Sequence, residues 1–350
     1  HRAPDPGKRH PGSPNPRRRE GGNAIAAQLP ARSDLPLMRS PSGSGPLGEV
    51  PVPAGFRTGF VALAGRPNVG KSTLLNRLVG AKISIVSPVP QTTRVVIRAI
   101  ARTQGAEVVY LDTPGIHRPQ YRMNREMVRS AREALSGVDL LLLLIEGPEG
   151  FGPGDDYMLR VLSGVSVPVF LVINKMDAMP RSALLPLIDD ARKRRDWREI
   201  FPCSALTGEG CGELEQSIPG LLPEGPPMFP PDFVTDLPTR LALGELIREQ
   251  VLLRTREEVP HSTAVIVDRL EETEKGEYRA GATIYVDRES QKGILIGKGG
   301  RMLKAVGTAA RKEMGAYLHS PVHLSLWVKV KKGWRNDPLL LRLLGIASEG

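Results

Sequence analysis

The sequence is poor in cysteine and has no long apolar run. Cys203 and Cys211 are its only cysteines, which are too few for a disulfide framework or a cysteine-rich metal cluster and fit a reducing compartment, the cytoplasm by default. The longest apolar run, Leu140 to Ile145, is far shorter than the ~20 residues that a membrane-spanning helix needs. A disulfide-stapled scaffold and a transmembrane protein are therefore excluded.

Positive charge is concentrated at the two ends of the chain. The formal net charge is +10, with +4 in residues 1–54, +7 in residues 280–350 and −1 between them. The excess at the C-terminal end predicts a polyanionic partner for that end. With 350 residues, 40% of them hydrophobic, the chain is long enough for two domains and a tail.

Composition divides the chain into four parts. Residues 1–54 are rich in Pro, Gly, Ser and Arg and show no hydrophobic period, which predicts a disordered basic tail. This tail is either an organellar transit peptide or, as we prefer, an extension from a mis-assigned start or from cloning. The prolines of 225–238 predict a linker between a first domain, 55–224, and a second, 239–346.

Short apolar runs alternate with helical patterns in the first domain. The predicted strands are 60–64, 107–111, 138–145, 167–173 and 200–202. The predicted helices are 73–79, 122–135 and 181–195. Strands that alternate with helices predict an α/β fold with a doubly wound, mostly parallel sheet.

The glycine-rich loop from Gly65 to Ser72 stands between the first predicted strand and the first predicted helix. It matches the P-loop pattern, in which Lys71 contacts the β- and γ-phosphates and Ser72 ligates Mg²⁺. The strand and helix beside it disfavour the alternative, a chance glycine-rich turn. The predicted nucleotide contacts in this segment are Gly65, Arg66, Pro67, Asn68, Val69, Gly70, Lys71, Ser72 and Thr73.

Residues that could read a guanine base follow two later strands. In Asn174-Lys175-Met176-Asp177, the Asp177 carboxylate can accept from the N1–H and the 2-amino group of guanine, whereas adenine offers neither donor. Asn174 would tie this loop to the P-loop, and the Lys175 stem would cover the base. Alternatively the tetrapeptide is a polar turn at a strand end. The segment Ser204, Ala205 and Leu206 could offer a backbone N–H to guanine O6.

Two further segments could sense the γ-phosphate. Asp112-Thr113-Pro114-Gly115 follows a predicted strand, so Asp112 can hold Mg²⁺ through water while the Gly115 N–H contacts the γ-phosphate. Between residues 80 and 98, Thr93, which we favour over Thr92, supplies a hydroxyl for Mg²⁺. The predicted catalytic residues are Lys71, Thr93 and Gly115, and the predicted Mg²⁺ ligands are Ser72, Thr93 and Asp112.

The second domain contains a GxxG loop. A helix pattern over 239–254 and strand patterns over 261–268 and 278–287 precede Gly297-Lys298-Gly299-Gly300, and helix 302–318 and strand 322–330 follow it. This is the arrangement of a type II KH domain, an α+β fold that clamps single-stranded RNA. The alternative is a helix–turn–helix loop with a solvated basic face. The predicted RNA contacts are Gly297, Lys298, Gly299, Gly300, Arg301 and Lys304.

Taken in order, the motifs GRPNVGKS, QTTR, DTPG, NKMD and SAL resemble those of translation-factor-related GTPases. The runs GRPNVGKSTLLNRLVGAKISIVSPVPQTTR and PVHLSLWVKVKKGW resemble the Era family of ribosome-assembly GTPases. The resemblance covers Thr58 to Ile346. It implies GTP and GDP as ligands, the 3′ end of 16S ribosomal RNA and the 30S subunit as partners, and peripheral association with the inner face of the cell membrane. The sequence shows no amphipathic helix from which membrane association could be derived.

One position departs from Ras-like GTPases. Ile116 stands where those proteins carry the glutamine that orients the attacking water, so slow intrinsic hydrolysis is predicted. Catalysis is then left to phosphate positioning, Mg²⁺ and an element supplied by another molecule or ion. Asn68 is at the position where potassium-dependent relatives bind K⁺, or else its side chain stabilises a turn. His117 is interpreted as an exposed switch residue rather than as a base.

These features predict a GTP-hydrolysing switch that binds ribosomal RNA and assists maturation of the 30S subunit. A second class stays open, a constitutive RNA-binding scaffold whose nucleotide site is mainly structural. A third class, a P-loop ATPase or kinase, is disfavoured by Asn174 and Asp177.

Overall fold

The computed structural model describes residues 53–115 and 121–347. Within these ranges, six strands form one sheet and three strands form a second. No helix in the described ranges is long and apolar enough to cross a membrane. The predicted tail, apart from residues 53 and 54, and the segment with Ile116 and His117 lie outside the described residues.

The first sheet is mostly parallel, as predicted. Its strands are β1 (Arg57–Ala64), β2 (Ile97–Arg102), β3 (Ala106–Asp112), β4 (Leu140–Glu146), β5 (Val169–Asn174) and β6 (Glu199–Pro202). The order is β2-β3-β1-β4-β5-β6, and β2 pairs antiparallel with β3 while the other neighbours are parallel. Its helices are α1 (Lys71–Val79), α2 (Arg122–Leu135), α3 (Pro153–Val161), α4 (Leu184–Arg194) and α5 (Cys211–Ser217).

Strand β4 lies in the middle of this sheet because its side chains are apolar on both faces. Leu140, Leu142 and Leu144 belong to the core on one face, and Leu141 and Leu143 to the core on the other. In a strand that helices cover on both faces, apolar residues follow one another without the alternation of apolar and polar residues that a half-exposed strand shows. The parallel strands therefore end at one common edge, to which the candidate nucleotide residues belong.

The second sheet has the order β7-β8-β9, with β7 antiparallel and β9 parallel to the central strand β8. The elements of this part are α6 (Thr239–Leu252), β7 (Ala264–Glu272), β8 (Tyr278–Val286), α7 (Glu289–Ile296), α8 (Arg301–Leu318), β9 (Val322–Val330) and α9 (Pro338–Leu343). Buried residues of α6, α7 and α8 pack against one face of the sheet. The order of elements is that of the predicted type II KH domain.

The predicted linker 225–238 packs against the first domain instead of lying free. The Ile100 N–H donates to Val234 O over 2.9 Å, and the Thr235 hydroxyl donates to Arg98 O over 2.6 Å. The Met228 N–H donates to the buried Glu107 carboxylate over 2.6 Å. Strand β2 is therefore covered along its outer side, which removes an exposed sheet edge.

Several predicted bounds need correction. The helix predicted over 181–195 begins with a 3₁₀ turn, Arg181–Ala183, and is α-helical only from Leu184. The strand predicted from His261 begins at Ala264, because Pro260–Ser262 forms a 3₁₀ turn. Strand β2 and helices α3, α5, α7 and α9 were not predicted. Each is short, with nine residues or fewer.

Candidate functional site

Three predicted Mg²⁺ ligands converge at the carboxyl end of β1 and β3. The Ser72 hydroxyl donates to Asp112 Oδ2 over 2.7 Å and lies 2.8 Å from the Thr93 hydroxyl, which in turn lies 3.2 Å from Asp112 Oδ2. Asp112 Oδ1 is buried and has no hydrogen-bond partner among the described residues. Two hydroxyls beside a carboxylate with an unpaired oxygen fit a hydrated Mg²⁺, a hard cation that takes oxygen ligands.

Thr93 and its neighbour Thr92 have different partners. The Thr92 hydroxyl donates to Val89 O over 2.6 Å and lies 2.6 Å from the Ser87 hydroxyl, so it is used within its own loop. The geometry therefore favours Thr93 as the ligand. Ser84, which was not predicted, also donates to Asp112 Oδ2 over 2.9 Å.

Lys71 is enclosed by the P-loop at the start of α1. Its ammonium group donates to Gly65 O and Arg66 O over 3.0 Å each. Burial lowers the pKa of Lys71 to about 8, and the nearby Asp112 carboxylate acts in the opposite direction. Burial likewise raises the pKa of Asp112, against the charge of Lys71 and three hydroxyl donors. A phosphate bound beside Lys71 would raise its pKa again and favour the charged form.

Asn174 joins three loops of the site. Its amide nitrogen donates to Val69 O in the P-loop over 2.7 Å, and its Oδ1 accepts from the Ala205 N–H over 2.9 Å. The amide approaches Gly70 so closely that a Cβ atom there would lie 2.2 Å from Asn174 Nδ2. Gly70 also has a φ of 99°, so a glycine is required on two grounds.

The side chains beside Asn174 are fixed by contacts that were not predicted. Ser204 donates to Asp177 Oδ1 over 2.5 Å. Lys175 adopts a left-handed backbone conformation with a φ of 66°, and its ammonium group lies 2.8 Å from Glu146 Oε1. Arg77 of α1 donates to Ala205 O over 3.2 Å and to Leu206 O over 2.6 Å. Arg77 therefore ties the predicted O6-binding loop to the P-loop helix.

Asn68 and Gly115 join the P-loop to the two segments that were predicted to sense the γ-phosphate. The Asn68 amide donates to Pro88 O over 2.8 Å, so this side chain reaches the loop that carries Thr93. Gly115 packs on the P-loop, where a Cβ atom would lie 3.0 Å from Pro67 Cγ. The Thr113 hydroxyl donates to Leu63 O over 2.7 Å, which holds the turn before Gly115 against β1.

The segment that carries Thr93 also contacts the second domain. Glu249 of α6 accepts from Lys82 over 2.6 Å and from the Val86 N–H over 2.9 Å. Ile85 is buried in the core of the second domain, and Arg94 donates to Thr263 O over 2.6 Å. One continuous segment, 82–94, therefore links the predicted Mg²⁺ ligands to the second domain, a connection that was not predicted.

A second link starts at the N-terminus of α2. The Arg122 N–H donates to Asn336 Oδ1 over 3.0 Å, and the Arg335 guanidinium lies 4.0 Å from the centre of the Tyr121 ring. Arg335 also donates to Asp287 over 2.6 Å. The chain that leaves the DTPG segment is thereby attached to the C-terminal part of the second domain.

The GxxG loop connects α7 to α8. Gly297, Gly299 and Gly300 have φ values of 71°, 62° and 76°, a backbone region that favours glycine. A Cβ atom at Gly297 would lie 2.8 Å from Met302 Cβ, so the loop turns tightly onto α8. A basic groove of about 840 Å³ begins beside the loop, and its lining residues include Arg254, Arg301, Lys304, Arg311, Lys312 and His323. Arg311 and Lys312 were not among the predicted RNA contacts. The sequence pointed to them only through the excess of positive charge in residues 280–350.

A P-loop nucleotide-binding domain followed by a KH domain is the class that this fold and these loops define. The family of 50S ribosome-binding GTPases matches residues 60–175, and the KH domain family matches residues 258–335. The chain is 46% identical to GTPase Era of Heliobacterium modesticaldum over 290 residues, covering 83% of this chain and 97% of that relative. It is 48% identical to GTPase Era of Lactobacillus helveticus, with 83% and 96% covered.

Two solved structures of Era are also similar to this chain. Era in complex with MgGDPNP and nucleotides 1506–1542 of 16S ribosomal RNA superposes with a TM-score of 0.81 at 42% identity, covering 84% of this chain and 100% of that one. A point variant of Aquifex aeolicus Era bound to GDP·AlF₄⁻ gives the same values. The chain belongs to the Era family of GTPases.

Proposed function

We propose that this chain is a slow GTPase switch in which the nucleotide bound by the first domain controls RNA binding by the KH domain. The observation that carries the proposal is the segment 82–94, since it holds Thr93 beside Asp112 and also bonds to Glu249 of the KH part. A ligand that repositions Thr93 must therefore disturb contacts with the second domain, which is how differential binding moves a two-state element.

Hydrolysis rests on few groups of the chain. Lys71 would contact the β- and γ-phosphates, Gly115 would offer its N–H to the γ-phosphate, and Thr93, Ser72 and Asp112 would hold Mg²⁺, which neutralises charge on the phosphate oxygens when bound. Ile116 has no group that can orient water. The outcome is catalysis by positioning, with a rate that a partner or an ion can raise.

Guanine is the base proposed for the pocket beside Asn174 and Asp177. Ser204 holds one Asp177 oxygen, so the carboxylate is oriented before a base arrives. The O6 contact stays a prediction, because the Ala205 N–H is bonded to Asn174. Competition between GTP and ATP for the site tests this assignment. Equal affinity for the two nucleotides would favour the ATPase or kinase class instead.

The RNA proposed for the KH domain is the 3′ end of 16S ribosomal RNA, presented on the 30S subunit during its maturation. The support is the glycine loop beside the basic groove, together with a family member solved with nucleotides 1506–1542 of that RNA. A cytoplasmic location, potassium binding at Asn68 and peripheral membrane association stay predictions of the same proposal.

The test is multiple-turnover phosphate release with and without 30S particles. We expect slow release by the chain alone and faster release with the particles, since the particles engage the KH domain and, through segment 82–94, Thr93. Release at a rate that the particles do not change, combined with tight RNA binding, would favour the constitutive RNA-binding scaffold. The Lys71→Ala variant, which lacks the phosphate-binding ammonium group, is the control for contaminating activity.

A further inference from the structure

Trp327 differs from the other tryptophans of the chain in its exposure. Of the three, Trp197 and Trp334 are buried, whereas Trp327 is 53% exposed. It lies on β9, an edge strand of the described KH sheet. Leu324, Leu326 and Val328 of β9 pack toward the helices, so Trp327, which alternates with them, points from the opposite face of the sheet.

The Trp327 ring contacts the neighbouring strand. A Cβ atom at Gly281 would lie 3.2 Å from Trp327 Cζ3 and 3.6 Å from Cη2, so the six-membered ring covers this glycine of β8. The end of the ring is therefore held against the strand, while about half of the side chain, 53%, stays exposed. A flat aromatic ring held on a sheet is a surface on which unpaired bases stack, whatever their identity.

The charges around the ring suit a nucleic acid better than an apolar peptide. Lys329 is exposed two residues along β9, and Arg279 is exposed on the same face. His323, in register with Arg279, is bonded to Glu277 over 3.2 Å. The acidic Glu271 is bonded to Arg269 over 2.6 Å. Cations near an aromatic platform can hold the phosphates that accompany stacked bases.

This face continues the basic groove across a single strand. A Cβ atom at Gly307 of α8 would lie 3.3 Å from Leu326 Cδ1, so Leu326 lies on the helix side of β9 and Trp327 on the open side. His323 lines the groove and also stands on β9. A strand of RNA that leaves the groove at His323 would reach Trp327, four residues further along β9, by crossing the sheet edge.

We propose that the open face around Trp327 is a second RNA contact, which stacks an unpaired base of single-stranded RNA extending beyond the GxxG groove. The inference rests on the proposed RNA-binding role of that groove. It predicts a dependence on RNA length, because a KH groove clamps about four nucleotides and the platform is engaged only by a longer strand.

The test is tryptophan emission and acrylamide quenching of the full chain with a four-nucleotide RNA and with one about three times longer. Because Trp327 is the exposed tryptophan, quenching reports mainly on it. The longer RNA should lower its emission and protect it from acrylamide, and the short RNA should do neither. Trp327→Ala should weaken binding of the longer RNA by roughly fivefold to a hundredfold and leave the short RNA unaffected. Trp327→Phe should retain most of the affinity.

Leu185→Ala, which removes another exposed apolar side chain, should change neither affinity. Saturation by the longer RNA with no change in Trp327 quenching would overturn the inference even if Trp327→Ala failed to fold. Quenching that changes on dilution of the RNA-free protein would assign the face to a second copy of the chain and overturn it as well. Failure of the proposed RNA-binding role of the groove would give a different result from failure of the Trp327 contact. In that case the short RNA would bind as well after Lys298→Ala and Arg301→Ala as before.

Discussion

Lys71 is the single residue whose protonation couples most directly to nucleotide binding. Its pKa is lowered to about 8 by burial, and phosphate oxygens favour the protonated form. Below pH 8 the group is already charged, so binding needs no proton. Above pH 8, GTP binding must take up a proton, and affinity should fall by up to about tenfold for each further unit of pH. Titration calorimetry in two buffers of different ionisation enthalpy measures this uptake. An affinity that is constant from pH 7 to pH 9.5 would contradict it.

Arg77 is expected to act as a positioning residue for the guanine loop. It donates to the carbonyl groups of Ala205 and Leu206, and charge-assisted hydrogen bonds of this kind are the stronger ones. Arg77→Ala should weaken GTP and GDP equally, by about tenfold, because both nucleotides carry the same base. Arg77→Lys should recover part of the loss. A defect confined to GTP would instead place Arg77 with the γ-phosphate machinery.

Among the elements, segment 82–94 is the connection on which the proposed coupling between GTP and RNA binding depends. Glu249 is buried and holds both Lys82 and the Val86 N–H. We expect Glu249→Gln to reduce the effect of GTP on RNA affinity several-fold, because the uncharged amide holds Lys82 less tightly, while GTP affinity itself stays unchanged. Fluorescence titrations with labelled RNA measure this, with Glu274→Gln, in an exposed turn, as the control. An unchanged GTP effect in Glu249→Gln would exclude this route.

The contact between Asn68 and Pro88 bears on potassium. A side-chain oxygen near the P-loop and a carbonyl group of the switch segment, 2.8 Å from Asn68 Nδ2, are the kinds of ligand that an alkali cation takes. Replacing K⁺ by Na⁺ at constant ionic strength should slow phosphate release several-fold, and Asn68→Ala should remove the difference. Equal rates in both salts would leave Asn68 as a turn residue.

The elements that the sequence predicted are those whose signal is local. Strand β9 and helix α2 have the predicted bounds, since apolar alternation and helical period are properties of adjacent residues. The GKS, DTPG and NKMD loops could be placed because each follows an apolar strand. Arg77 and Glu249 could not be found in this way. Their partners lie 129 and 163 residues away in the chain, and only the fold brings them together.

At the scale of the whole molecule, the GTP and RNA functions should be separable by mutation. Lys298→Ala with Arg301→Ala should weaken RNA binding and flatten its salt dependence, because the slope falls by about 0.7 for each phosphate of a single strand that the protein no longer neutralises. GTP binding should survive, whereas Lys71→Ala should abolish tight GTP binding. Arg192→Ala with Lys193→Ala, which removes the same charge from exposed positions of α4, is the control. RNA binding by the KH double variant as tight as that of the parent would make the glycine loop structural.

The most direct test of the switch is the affinity of the full chain for RNA from the 3′ end of 16S ribosomal RNA, measured with a GTP analogue and with GDP. We expect tighter binding with the analogue by at least about fivefold, the lower end of ordinary coupling between sites. By linkage, the RNA must then tighten binding of the analogue relative to GDP by the same factor. Equal RNA affinity in the two nucleotide states would contradict the switch and leave an RNA-binding scaffold with a structural nucleotide site.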